Sequence, residues 1–327
     1  MAESRLHCLS WIVDDGLVTS NPYGDPVLFL ERLGRITQRA ARAEELLQWS
    51  LNPQNADAGS CMAADDQGLM SDFGERRFES AALWPLMSAT ASVGAAAGIF
   101  IQANQSRRLH APAIAALCRS AVESAGRVIW LLSPEDRQVR RDRCTAIALA
   151  EMKEQTNHNS NEVAALREGI ISAPQDQKNE FIRGSRDLLN RFEQLEQQCK
   201  QNPDFEKVRP FGKTAELAAK WIEEHVPPHD TGEIRQNGMA FGTKRVYALM
   251  SAVMHGYKWV NDYLYHGDLF ALLADSFATA VNLTECGIAL YEAQAQDRSG
   301  TPTRERRYPA RLEPTVIEWS KMYPPAT

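Results

Sequence analysis

Four residues on two predicted helices could together carry chemistry. They are Arg119 and Glu123 on the segment from residue 113 to 132, and Ser251 and His255 on the segment from residue 244 to 264. Each pair is four residues apart, and residues at that spacing lie on the same face of an α-helix. A guanidinium can stabilise a developing negative charge, while a carboxylate or an imidazole can accept or donate a proton. If the two polar faces meet across a bundle of helices, these residues form a candidate active site.

Ser251 and His255 are one helical turn apart, so the hydroxyl could bond the imidazole. A serine nucleophile with His255 as its base and Asp262 as the group that orients the imidazole is one interpretation. Side chains on one straight helix point outward in parallel, however, and do not converge on a substrate atom. The spacing therefore favours a histidine that hydrogen-bonds a neighbouring helix.

The charged residues of the first segment have two interpretations. Arg119, Glu123 and Arg127 could form a ladder of alternating charge on a solvated surface, where each pair contributes a few tenths of a kcal/mol. Trp130 and Ala116 lie on the same side of the helix, however, which favours a polar stripe that is buried or lines a cleft. The sequence leaves both interpretations open.

The sequence predicts neither a metal site nor a cofactor. Residues 225 to 230, HVPPHD, contain His225, His229 and Asp230, whose side chains are of the types that bind zinc. The two prolines between the histidines prevent a helical arrangement of these ligands, so they are only weak candidates. No glycine-rich nucleotide-binding motif is present.

The hydrophobic pattern predicts an all-α protein, a multi-helix bundle built of antiparallel helical hairpins. Runs of alternating β-branched and aromatic residues, which would indicate strands, are nearly absent. The predicted parts are an N-terminal segment with the first helix (1–50), a flexible linker (51–75), the helical bundle (76–296) and a basic, proline-rich tail (297–327). Within the tail, only residues 316 to 323 have enough apolar side chains to dock on the bundle.

Composition limits the possible partners and compartments. The chain of 327 residues has a net charge of −6, so its overall field does not attract nucleic acid, and only local arginine clusters such as the one from Arg304 to Arg311 could do so. Its six cysteines are scattered without metal-binding spacing, which favours reduced thiols and a cytoplasmic location. Residues 80 to 101 could span a bilayer by length. Because Ala, Ser, Thr and Gly dominate this segment, we expect a central core helix, with membrane association as the alternative.

Two stretches carry a resemblance to a known family. The segment LCRSAVESAGRVIWLLSP and the later segment YALMSAVMHG resemble bacterial helical proteins that pair an R-x-x-x-E helix with an S-x-x-x-H-G helix and are similar to the HEPN superfamily. HEPN ribonucleases carry an Arg and a His on one helix, separated by four to six residues, whereas nine residues separate Arg245 from His255 here. The resemblance implies a helical bundle and, as one alternative, a metal-independent ribonuclease. In that alternative His255 would hold the scissile phosphate or act as a base, and Arg119 would stabilise the developing charge.

The sequence as a whole favours a cytoplasmic protein that acts by binding or by oligomerisation. No catalytic apparatus can be demonstrated from the residue types and their spacing. The helical hairpins suit a homodimer. The ribonuclease and the membrane-associated protein are the alternatives.

Overall fold

The computed structural model describes residues 26–71, 76–106, 108–202, 205–260, 269–297 and 304–324. It is 79% helical, with eleven α-helices and no strand in these ranges, which confirms the all-α, multi-helix bundle. In chain order the helices are α1 (Pro26–Leu51), α2 (Cys61–Asp66), α3 (Arg77–Ser106), α4 (Ala111–Leu132), α5 (Arg137–Arg167), α6 (Gln175–Gln201), α7 (Phe211–Glu224), α8 (Thr231–Asn237), α9 (Ala240–Met254), α10 (Leu269–Ala295) and α11 (Glu313–Ser320). The predicted N-terminal segment before Pro26 lies outside the described residues.

Helix α10 forms the centre of the bundle. Every residue from Ala280 to Ala295 is buried, and α1, α3 and α4 pack around this helix. A helix that is apolar on all sides is stable only when it is surrounded by other elements. The most deeply buried helix is therefore α10, and α3, which contains the predicted core segment 80–101, is one of its neighbours.

Small residues let these helices approach closely. A Cβ atom added at Gly94 of α3 would lie 3.3 Å from the Leu47 Cβ of α1, and one added at Gly287 of α10 would lie 3.0 Å from the Leu86 Cδ1. By length and composition alone, two helical stretches could cross a membrane, Arg77–Ala103 and Leu269–Ala295. Within the most apolar 18 residues of each stretch, 50% of the first and 83% of the second are buried inside the protein. Core helices of folded proteins have the same length and composition, so the membrane-associated alternative stays a prediction.

The segment predicted as a flexible linker is packed in its described part, residues 51–71. Ser60 caps α2 by accepting a hydrogen bond from the Ala63 N–H at 3.1 Å, and Cys61 and Met62 join the main core. Asp65 is fully buried and accepts a hydrogen bond from Arg140 Nε at 2.6 Å. The expectation of a flexible linker is therefore corrected for these residues. The buried ion pair and a few apolar side chains are enough to dock α2, although this helix is too short for its apolar residues to recur with a helical period.

The helix predicted over residues 244–264 ends earlier. Helix α9 stops at Met254, and Gly256 follows in the left-handed conformation with φ +63. The Tyr257 N–H donates to the Ala252 carbonyl at 3.0 Å, as in the common glycine-terminated helix ends. His255 therefore lies at the cap of α9 and not within a continuous helix.

The described part of the C-terminal tail docks on the bundle. Val316, Trp319 and Tyr323 are buried, as the sequence predicts for residues 316–323. The arginines of the tail also contribute, because Arg304 pairs with the buried Glu292 at 3.0 Å and Arg311 pairs with Glu285 at 2.6 Å. These two arginines hold the tail in place and are not part of a free basic surface.

Candidate functional site

Arg119 and Glu123 of α4 meet Tyr247 of α9. Arg119 Nε lies 2.9 Å from Glu123 Oε1, and both side chains are about one fifth exposed or less (16% and 21%). The Tyr247 hydroxyl donates to the same Glu123 oxygen at 2.8 Å and accepts from Arg119 Nη2 at 3.2 Å. The charged face of α4 therefore meets α9 at Tyr247, a residue that the sequence analysis did not single out, and not at Ser251 or His255.

Burial and the contacts within the cluster shift the pKa values of Arg119 and Tyr247. For Arg119, burial opposes the charge, but the hydrogen bond to Tyr247 and the charge of Glu123 outweigh burial and raise the pKa of the guanidinium. Burial, together with the hydrogen bond to Glu123, raises the pKa of the Tyr247 phenol above its usual value. The cluster is thus built to keep a charged arginine, a neutral tyrosine and a carboxylate together.

Two glycine contacts set the position of Tyr247. A Cβ atom at Gly212, near the start of α7, would lie only 2.7 Å from Tyr247 Cε1, so the ring packs directly on the α7 backbone. At Gly126 of α4 a Cβ atom would lie 3.0 Å from the Ala215 Cα of α7. Helix α7 therefore packs tightly on α4 and supports the tyrosine that contacts Glu123.

Ser251 and His255 lie apart from this cluster. Ser251 is half-buried, and its backbone carbonyl accepts the His255 N–H at 3.0 Å at the end of α9. His255 is exposed, and its ring lies 5.7 Å from that of Tyr257. Among the described residues, no hydrogen bond or ion pair joins Ser251 or His255 to Arg119 or Glu123, although Arg119 Nη1 lies 3.2 Å from the sulfur of Met254 beside His255. Of the four predicted site residues, the structure pairs Arg119 with Glu123.

Arg127 continues the polar face of α4 by one more turn. Its Nη1 donates to Glu151 Oε1 of α5 at 3.2 Å, and its guanidinium lies 5.0 Å from the centre of the Phe211 ring. Only 18% of the Arg127 side chain is exposed. The alternating charges of α4 are therefore not a ladder on open surface, because Arg119 and Glu123 contact Tyr247 of α9 and Arg127 contacts Glu151 of α5.

The polar face forms one wall of a cleft of about 670 Å³ between α3, α4 and α5, closed at one end by Phe211. Helix α3 contributes a second wall with Arg77, Ser80, Trp84 and Ser88, which recur at helical spacing. Trp84 is 66% exposed and Phe211 is 43% exposed, and both line the cleft. The complete lining is Met70, Arg77, Ser80, Ala81, Trp84, Pro85, Ser88, Glu123, Ser124, Arg127, Cys144, Ile147, Ala148, Glu151 and Phe211.

The charges of the cleft are mostly paired. Glu123 pairs with Arg119, and Arg127 pairs with Glu151. Arg77 is exposed, and its guanidinium has no hydrogen-bond or ion-pair partner among the described residues. One cation at the edge of the cleft is therefore available to an incoming anion.

The weak metal candidates belong to other contacts. His225 stacks on Trp221, with ring centres 4.6 Å apart, and its Nδ1 lies 2.9 Å from the Trp221 carbonyl oxygen. His229 Nδ1 lies 2.7 Å from the Thr315 hydroxyl, and Asp230 pairs with Arg42 at 3.2 Å. Within the described ranges no group of three or more His, Cys, Asp or Glu side chains is arranged to hold a metal ion.

His229 and Asp230 instead belong to a buried charge network around Glu285 of α10. Glu285 is fully buried and accepts hydrogen bonds from Arg42 Nε at 2.8 Å and from Arg311 Nη2 at 2.6 Å. Burial alone would raise the pKa of this carboxyl. Hydrogen bonds from His229 and Arg42, together with the charges of Arg42 and Arg311, outweigh burial and lower the pKa to about 2. The network ties α1, α10 and the C-terminal tail together.

No family model, no curated protein and no solved structure matches this chain. The HEPN resemblance therefore stays a prediction.

The residues that the sequence analysis missed are aromatic. Trp84 and Phe211 lie far apart in the chain, so their spacing does not indicate that they line one cleft. In addition, the hydrophobic pattern does not distinguish an exposed tryptophan from a buried one. The signal for Tyr247 was present, because it lies four residues before Ser251 and hence on the same face of the predicted helix.

Proposed function

We propose that this chain is a binding protein that takes up a small molecule with a flat apolar body and an anionic group in the cleft between α3, α4 and α5. The observation that carries the proposal is the placement of an exposed tryptophan, Trp84, and an arginine with no side-chain partner among the described residues, Arg77, along one wall of a cleft large enough for such a molecule. Binding sites of this kind are typically concave and mostly apolar, with a few polar groups that fix orientation.

The aromatic residues support the apolar part of the ligand. Trp84 and Phe211 expose ring surface that would be buried by a flat molecule placed between them, and aromatic rings bury large apolar areas. Arg127 already lies against the Phe211 ring, which holds that ring in a defined orientation. A planar ligand would therefore meet one ring, that of Phe211, whose position is fixed before it binds.

The charges support the anionic part. Arg119 is paired with Glu123 and Arg127 with Glu151, so among the described residues the guanidinium of Arg77 is the charge of the cleft that has no partner. A guanidinium can bind a carboxylate or phosphate through two parallel hydrogen bonds. The hydroxyl groups of Ser80, Ser88 and Ser124 provide further donors along the same walls.

We propose binding and not turnover because both carboxylates of the cleft, Glu123 and Glu151, are already paired with arginines. Glu123 Oε1 accepts from Tyr247 and lies against Arg119, so it is held as a charged anchor. The ribonuclease alternative rests on the sequence resemblance, and no contact among the described residues favours it. A cytoplasmic location is proposed on the five described cysteines, all of which are buried and unpaired.

A fluorescence titration with 8-anilinonaphthalene-1-sulfonate tests the proposal, since this probe combines an aromatic body with an anionic group. Trp84→Ala and Arg77→Ala should each weaken binding by roughly tenfold, because each removes a contact of about 1–2 kcal/mol. Phe241→Ala is the matched control, as this 80% exposed aromatic does not line the cleft. Equal affinity for the wild-type protein and both cleft variants would overturn the proposal.

A further inference from the structure

Helices α5 and α6 form a long hairpin whose outer part contacts little else. Helix α5 has 31 residues and spans about 46 Å at 1.5 Å per residue. Helix α6 packs against α5 and makes no other extensive contact with a helix. A small cluster of Met152, Leu195 and Cys199 anchors the base of the hairpin.

From residue 157 to residue 194, all of which the structure describes, no side chain is buried. We call this stretch the arm. It is nevertheless rich in apolar residues, which recur at helical spacing along α6 as Phe181, Ile182, Leu188, Leu189 and Phe192. Phe181 is 37% exposed, Leu189 is 42% exposed, and Ile170 at the tip is 74% exposed. In proteins most of the stability of a helix comes from packing of its apolar face, and here that packing is incomplete.

Gly184 marks where a further helix would fit. It lies in the interior of α6, three residues after Phe181 and four before Leu188, and a Cβ atom built there meets nothing within 4 Å. Glycine inside a helix lowers helix stability and provides room for close backbone approach. Within one chain nothing uses that room, whereas a helix laid on this face would.

We propose that two copies of this chain pair through their arms, so that two hairpins form a four-helix bundle around the outer part of α6 at Phe181 and Gly184. This part lies beyond Leu188 and Phe192, which are partly buried against the cluster at the base of their own hairpin. This inference concerns assembly and does not depend on the ligand cleft. Pairing of equivalent surfaces about a two-fold axis is the commonest way in which identical chains associate.

The charges of the arm favour a second copy over a nucleic acid. The two signs alternate along the arm and nearly cancel, so the surface can complement itself and does not attract phosphate backbones. The acidic residues are Glu162, Glu168, Asp176, Glu180, Asp187 and Glu193, and the basic ones are Arg167, Lys178, Arg183, Arg186 and Arg191. An isologous interface with both signs on each side can form cross-chain pairs.

The molar mass in solution, measured by light scattering on the full chain, tests this inference. The wild-type protein should show twice the 36.5 kDa chain mass. Phe181→Lys and Gly184→Gln should each shift the mass to that of one chain at micromolar concentration. Because the Gly184 position is open in the single chain, Gly184→Gln should leave the helical circular dichroism unchanged.

Gly34→Gln is the matched control, since Gly34 of α1 is equally open and lies outside the arm. It should remain dimeric. In hydrogen exchange, amides of residues 157–194 should be protected in the wild-type dimer and exposed in Gly184→Gln. A monomeric wild-type protein would overturn the inference and leave the arm to a different partner. A dimer whose mass is unaffected by both arm substitutions, or is lost in Gly34→Gln alone, would also overturn it.

Discussion

The Tyr247 hydroxyl lies 2.8 Å from Glu123 Oε1 and links helix α9 to the charged face of helix α4. Arg119 contacts both residues, so a guanidinium, a phenol and a carboxylate form one connected group. Through Glu123 this group reaches the wall of the cleft that we propose as a binding site. A change at Tyr247 is therefore transmitted to the cleft without any direct contact with a ligand.

Tyr247→Phe should destabilise the protein by about 1 kcal/mol, because it removes the hydroxyl that donates to Glu123 while keeping the ring. Urea unfolding followed by circular dichroism measures the change in the free energy of unfolding. Tyr257→Phe is the control, since that side chain is 54% exposed. An equal loss in both variants would show that the hydrogen bond contributes nothing specific.

Double-mutant cycles distinguish the observed contact of Arg119 from the one that the sequence suggested. Arg119→Ala and Tyr247→Phe should couple by roughly 0.5–1.5 kcal/mol, because the two side chains share a hydrogen bond. Arg119→Ala and His255→Ala should be additive within about 0.3–0.5 kcal/mol, since no described contact joins them. A large coupling between Arg119 and His255 would contradict the placement of His255 at the end of α9.

Gly212→Ala should destabilise the protein by roughly 1–3 kcal/mol, because the new Cβ would lie 2.7 Å from Tyr247 Cε1 and must displace the ring. In an open helical position the same substitution stabilises, typically by a few tenths to about 1 kcal/mol. Gly98→Ala provides that comparison, since a Cβ at Gly98 meets nothing within 4 Å. Thermal unfolding of both variants should therefore show shifts of opposite sign. A neutral Gly212→Ala would mean that Tyr247 does not pack on α7.

The buried network makes stability depend on pH through Glu285. The folded-state pKa of about 2 lies below the ordinary value of 4.5, so the stabilisation is complete above about pH 5 and is lost as the pH falls towards 2. Glu285→Gln leaves Arg42 and Arg311 without their buried partner and should cost roughly 3–5 kcal/mol at pH 7. The difference in unfolding free energy between wild type and variant should shrink as the pH is lowered from 5 to 2. A constant difference over that range would contradict the lowered pKa.

The sequence predicted most of the helices because their apolar residues recur with a helical period, and α4 (Ala111–Leu132) closely matches the predicted segment 113–132. It failed where short-range features decide the structure. Gly256 ends α9, although the sequence after it continues the amphipathic pattern of a helix. Helix α2 is too short for its apolar residues to recur with a helical period.

The candidate site was predictable only in part, since Arg119 and Glu123 share a face by spacing alone. Their partner could not be derived, because Tyr247 reaches them only through the packing of α9 on α4 and α7. The cleft itself depends on Trp84 and Phe211, which come from helices distant in sequence. Glu285 gave a signal that was not used, as an acidic residue within a long apolar run is costly to bury without cationic partners.

Calorimetric titration with naphthalene-2-carboxylate and with its neutral counterpart naphthalene-2-carboxamide tests the proposed site most directly. The two probes share one flat body and differ in charge. We predict that the carboxylate binds about tenfold more tightly to the wild-type protein and that Arg77→Ala removes this preference, while Trp84→Ala weakens both probes alike. Equal binding of the two probes to the wild-type protein, or no binding of either, would contradict the account.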